Sequence, residues 1–99
     1  MKEPKVIVAG WCRVDPDKRD VVVASFTELV LRARAAPGCI DFAMSADPAD
    51  ESRYNLFELW RSEADLRAWR RVAKSPKKAL RMRRVEVRKH IVEKSGKPF

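Results

Sequence analysis

From Val6 to Val14 nearly every residue is apolar, and the run closes on Asp15-Pro16. A short segment rich in Val and Ile between turn signals is a strand, and successive side chains of a strand point to opposite faces. A strand that is apolar at both parities therefore needs cover on both sides. Any fold open to this chain must bury two faces of one sheet.

The rest of the chain supplies a particular set of partners. After Asp15-Pro16 the period changes: Val22, Phe26, Leu29, Val30 and Ala33 recur at helical spacing, while Arg19, Glu28, Arg32 and Arg34 fall mostly on the other side. Asp15 is the expected N-cap of this helix, with Pro16 at its first position and Asp17 at the positive end of its dipole. Ala36-Pro37-Gly38 ends it. Cys39 to Ser45 reads as a strand with Ile40, Phe42 and Met44 on one face, 47–52 as a turn, and Arg53 to Trp60 as a strand. So short a turn makes those two strands an antiparallel hairpin. Ser62, with Asp65 three positions on, resembles a capping box opening a second helix whose stripe is Leu66, Trp69, Val72 and Ala73. Ser75-Pro76 breaks that helix. Lys77 to Arg83 is ambiguous, and Val85 to Glu93 alternates again, with Val85, Val87 and Ile91 on one side.

The order β-α-β-β-α-β is the ferredoxin-like α+β arrangement, four antiparallel strands with two helices on one face. Residues 1–99 form one expected domain, with a core over about 5–93 and a tail from 94. Two helices cover one sheet face only. Because Phe57 and Leu59 accompany Leu56 and Trp60 on the third strand, the other face is also apolar. The simplest cover is a second copy, giving a homodimeric two-sheet barrel. A chain of this size hides only roughly 60% of its unfolded surface, so a partner subunit would also add stability.

Composition narrows the function classes. No apolar run approaches the ~20 residues of a membrane span, and Met1-Lys2-Glu3-Pro4 lacks the apolar core of a signal peptide, so the expected address is cytoplasmic, with no membrane partner. Cys12 and Cys39 stand far apart with His90 as the sole imidazole, which points to reduced, packed thiols and to no metal site. The net charge is +8, and 67–89 holds eleven basic residues against the single acid Glu86. Phosphate binding is one use of such a stretch. The chain nevertheless lacks the aromatic-studded strand motif of the RNA-binding module that shares this element order, so the charges read as a solvated face and nucleic acid is not an expected partner.

The first strand Val6-Ile7-Val8-Ala9-Gly10-Trp11, the Ala36-Pro37-Gly38-Cys39 link, and Phe57-Glu58-Leu59-Trp60-Arg61-Ser62 running into Ala64-Asp65-Leu66 together resemble the antibiotic biosynthesis monooxygenase family over about residues 5–93. That resemblance implies a dimer with a pocket in each subunit between helices and sheet. It also implies an oxygenase that needs no metal or organic cofactor and brings dioxygen to electron-rich aromatic substrates such as quinols or anthrones. A Gly-rich nucleotide loop is absent from the sequence, which is compatible with that activity. The other function open to the fold is a non-catalytic, dimeric small-ligand-binding or stress-associated protein.

For such chemistry a protein must supply an apolar cavity, a proton acceptor and groups that favour an anion. Trp60 and Trp69 are candidates to hold a flat ring, although both also fit the core. Many family members carry His at the Trp69 position. A haem-degrading branch has Trp there, together with a nearby His and a first-strand Asn; neither accompanies Ala79 or Gly10-Trp11 here, so haem is not an expected ligand. His90 is the candidate proton shuttle, since it alone titrates near neutrality unperturbed, and it stands at the parity opposite Val85, Val87 and Ile91. Tyr54 and Asn55 are candidates to orient a substrate hydroxyl, and their opposite parity allows at most one of them to face the pocket. Glu58 shares a face with Leu56 and Trp60. An acid buried there needs an Arg partner or else serves as a base with a raised pKa.

Overall fold

The computed structural model describes residues 3–77 and 82–99. Its elements run β1 (Val6–Arg13), α1 (Arg19–Ser25), α2 (Thr27–Ala35), β2 (Cys39–Ala46), β3 (Arg53–Trp60), α3 (Glu63–Val72) and β4 (Arg84–Ile91). The strands form one antiparallel sheet in the order β2-β3-β1-β4, with both helical layers on one side. This is the expected ferredoxin-like α+β fold. Most of the ambiguous stretch 77–83 lies outside the described residues. Among those described, no helix is long and apolar enough to cross a membrane.

Pairing register turns sequence parity into two faces. Val6, Val8 and Cys12 of β1, Tyr54, Glu58 and Trp60 of β3, and Phe42 of β2 point under the helices and are buried. There they meet Val22, Phe26, Leu29 and Ala33 from the first helical layer and Leu66 and Trp69 from α3. Ile7, Ala9, Trp11, Ala43, Phe57 and Leu59 point to the other side, where no helix of the described residues lies, and remain partly exposed.

Several local expectations are corrected. The first helix starts at Arg19 with Lys18 as its uncapped N-cap, because the Asp15 side chain pairs with Arg83 instead. It is also broken at Phe26, which ends α1 and starts α2. Arg19 does not face water: its Nη1 donates to the backbone oxygens of Asp47, Asp50 and Arg53 at 3.1, 2.9 and 3.1 Å, clamping the β2–β3 turn to the helix. A register shift between Cys39 and Asp41 leaves Ile40 half-exposed while Phe42 and Met44 still point inward. Val72, assigned to the buried stripe of α3, is 61% exposed.

The second helix starts as the cap pattern requires, with one difference. Ser62 Oγ accepts from the Asp65 backbone N–H at 3.2 Å, but the Asp65 carboxylate takes the Ser62 hydroxyl at 3.0 Å rather than a backbone amide. Asp is one methylene shorter than the Glu of a full capping box. Gly38, at φ 81°, makes room for this acid, since a Cβ there would fall 2.2 Å from the Asp65 carboxyl carbon.

Candidate functional site

Between the helices α2 and α3 and the sheet lies a cavity of about 300 Å³. The sheet supplies Cys12 from β1, Phe42 and Met44 from β2, Tyr54, Leu56 and Glu58 from β3, and Val85 and Val87 from β4. Phe26 and Leu29 close it on one side and Trp69 on the other, with Arg70 and Ser75 among its polar lining. Alternation along β3 explains the row Tyr54, Leu56, Glu58: every second residue of that strand faces the helices. Helical spacing places Trp69 and Ala73 together on the same wall.

Its aromatic groups are fixed by one another. Trp69 stacks on Trp60 at 6.1 Å with 26° between the planes, and meets Phe42 edge-on at 6.2 Å. The Arg32 guanidinium lies 5.8 Å from the Trp69 ring centre, so that indole carries a cation on its outer side. Phe26 and Tyr54 pack at 6.0 Å, and the Tyr54 hydroxyl donates to Met82 Sδ at 3.1 Å. Burial, and then the neighbouring Cys12 thiol, raise the Tyr54 pKa, which keeps the phenol neutral. The Cys12 thiol is itself pushed up by burial and is a packed, free thiol.

Glu58 is the one carboxylate among the described residues of the wall, and it is 7% exposed. Trp60 Nε1 donates to its Oε1 at 2.9 Å. Burial pushes the carboxyl above its ordinary range, and the Trp60 hydrogen bond and the positive Arg70 offset only part of that rise. The Arg expected from sequence is therefore Arg70 acting through its field, since no ion pair of Glu58 is present among the described residues.

The candidates from sequence separate into two groups. Tyr54 and Trp69 line the cavity. Trp60 is completely buried behind Trp69 and reaches the site through Glu58. Asn55 lies on the open face, where it accepts from Arg53 Nε at 2.7 Å and donates to Asp47 at 2.9 Å. His90 pairs with Ile7 on that same open face, exposed, with the sheet between it and the cavity. The basic lining residue Arg70 was not singled out from its neighbours in sequence, because eleven basic residues crowd one segment. Its place three to four residues after Leu66, on the helix edge next to Trp69, was the available signal.

Sheet order, helix placement and an aromatic-walled cavity beneath the helices define a ferredoxin-like α+β protein with a ligand-sized cavity between helices and sheet. The chain belongs to the antibiotic biosynthesis monooxygenase family, whose model matches residues 6–75. An uncharacterised Synechocystis protein is 33% identical over 61 residues, which are 62% of this chain and 42% of that protein. The match thus spans about two fifths of that relative's length. Among solved structures, a Deinococcus radiodurans candidate antibiotic biosynthesis monooxygenase superposes with a TM-score of 0.82 at 11% identity, covering 95% of this chain and 98% of the other. A conserved Bacteroides thetaiotaomicron protein of unknown function gives 0.79 at 15% identity, covering 91% and 99%. At such identities the likeness shows a shared fold.

Proposed function

We propose that this chain is a monooxygenase that uses dioxygen on electron-rich aromatic compounds of the quinol or anthrone kind, working as a homodimer without metal or organic cofactor. Family membership supports the general activity. The observation that carries the substrate class is the cavity itself: Phe42, Tyr54 and Trp69 line an apolar space of about 300 Å³ that has a carboxylate in its wall. That volume is at the lower end of ligand-holding cavities, about 300–1,000 Å³, and matches a compact ring system.

For an anthrone the chemistry balances with dioxygen alone. Loss of a ring-methylene proton leaves a carbanion, which passes one electron to dioxygen, and the radical pair joins through a C–O bond to give a hydroperoxide. Removal of the remaining C–H proton breaks the O–O bond and leaves a carbonyl and water. The substrate supplies four electrons and dioxygen accepts four. The protein contributes orientation and proton handling in a space with little water, where charge effects are strong.

Oxygen uptake with a panel of quinols and anthrones in metal-free buffer tests the reading. Uptake well above the spontaneous rate, unchanged by a chelator, is expected. Ligand binding without such uptake would leave the non-catalytic ligand-binding function instead. The dimer is supported by the open face, where Phe57 and Leu59 stay part-exposed with no helix over them among the described residues, and where Trp11 is covered by the guanidinium groups of Arg13, Arg53 and Arg84. Light scattering is expected to give twice the monomer mass, and a stable monomer at micromolar concentration would contradict it.

A further inference from the structure

The wall of the cavity holds a carboxyl group whose two oxygens have different surroundings. Oε1 of Glu58 is occupied by the Trp60 indole N–H at 2.9 Å. Oε2 has no hydrogen-bond donor among the described residues, yet it is not a buried orphan: the only buried side-chain polar atom without a partner among those residues is Arg13 Nε. The residue is 7% exposed and lines the cavity, so the free oxygen looks into the cavity space. Fixing one oxygen by a fully buried indole also fixes the direction of the other. Keeping a carboxyl this deep without an ion pair costs stability, which a purely structural position would avoid with an apolar residue.

We propose that Glu58 is the proton acceptor of this cavity, taking the acidic proton of a hydroxyaromatic or anthrone-type ring held against Trp69 and Phe42 onto its free Oε2. The substrate C–H or O–H bond breaks and its electron pair stays on the ring as an enolate or phenolate. A carboxyl O–H bond forms, and Arg70 in the lining supplies positive charge for the anion. Only the later steps with dioxygen rest on the monooxygenase reading; the proton transfer does not.

Among the described residues, the charged and titratable groups around Glu58 are few. Arg70 comes from α3, Tyr54 from β3 itself, and Cys12 from β1, all lining the same space. Cys39 of β2 lies close enough for the Glu58 charge to raise its pKa. Lys89 of β4 stands in the same row beyond Val8 but is turned to Glu63 at 3.6 Å. Burial raises the Glu58 pKa most and Arg70 partly offsets it, so the base form is lost at a higher pH than for an ordinary Glu.

Proton transfer can be read without oxygen. Anthrone is incubated with the full-length protein in deuterated buffer under argon, and exchange of its methylene protons is followed by NMR. Wild type is expected to accelerate exchange, with a rate that falls on the acid side as Glu58 protonates. Glu58→Gln should lower that rate about 100-fold or more and abolish the acid limb. It should still bind anthrone, read by quenching of Trp fluorescence. Folding failure is separable, because Gln keeps an oxygen for the Trp60 donor and cannot ionise. A carboxyl with a raised folded pKa loses stability as pH rises through that value, so Glu58→Gln should be at least as stable as wild type at alkaline pH. Exchange by Glu58→Gln equal to wild type would overturn the proposal, as would no acceleration by wild type. Acceleration without oxygen uptake would keep the proton acceptor and sink only the oxygenase reading.

Discussion

Replacement of Trp60 by alanine is expected to destabilise the fold by about 3–5 kcal/mol, with about 1–3 kcal/mol more from the carboxyl it strands. Trp60 is 0% exposed and is among the largest completely buried side chains of the described residues. Its ring fills the space under α3 and stacks on Trp69, and its N–H is the hydrogen bond to Glu58. A domain of this size has a total stability of about 5–15 kcal/mol, so the variant should be largely unfolded or barely folded at body temperature. Urea denaturation followed by far-UV circular dichroism measures it. Trp60→Phe separates the two contributions, since it keeps most of the buried ring and removes only the donor. Without the donor the Glu58 pKa rises further, so ionisation costs the folded state more as pH climbs through the folded value. The deficit of Trp60→Phe against wild type should therefore be larger at roughly pH 8 than at roughly pH 4. A deficit independent of pH would show that the hydrogen bond has no energetic role.

Gly10→Ala is the second substitution expected to have a large effect. Gly10 sits in the middle of β1 at φ 155°, and a Cβ there would fall 1.9 Å from the Glu86 carbonyl oxygen and 2.7 Å from the Val87 Cα. Both are backbone atoms of β4 that cannot rotate away as a side-chain tip can. Strain at such a backbone angle and forced overpacking each cost about 1–3 kcal/mol, and the sum should appear as a lowered denaturation midpoint. The weaker partner should yield first. β4 is an edge strand paired only with β1, and Val85 and Ile91 on its helix side are about half exposed. Hydrogen exchange is thus expected to show lost protection across 84–91 while β2 and β3 stay protected. Val85 and Val87 form part of the cavity, so ligand affinity should fall in the same variant. Unchanged protection in β4 would mean that β1 absorbs the extra carbon by itself.

Both substitutions involve positions whose importance is unequally visible before folding. The Phe57-to-Ser62 run shows its strand, its parity and its helix cap directly, because alternation and capping are local: Tyr54 and Asn55 face opposite sides, as their parity requires. Other features depend on partners far along the chain. Asp15 has the chemistry of an N-cap but is drawn to Arg83, and Arg19 has the pattern of an exposed residue but clamps the carbonyls of the hairpin turn. Ile40 fits the inward alternation of its strand until a register shift turns it out. A glycine at position 10 gives no hint from composition of how closely β4 approaches it.

The candidate site divides along the same line. Periodicity by itself determined the order of the elements, the strand parities and the apolarity of both sheet faces, since each follows from how one short segment alternates. Only the tertiary structure decided which face carries the cavity, and with it which polar groups meet there. It set His90 and Asn55 on the open face, kept Tyr54 and Trp69 in the cavity, and placed the Glu58 carboxyl in the wall of that space. The physical reason is that convergence of side chains from four strands and two helices depends on register and helix angle, which long-range packing sets and local alternation does not encode.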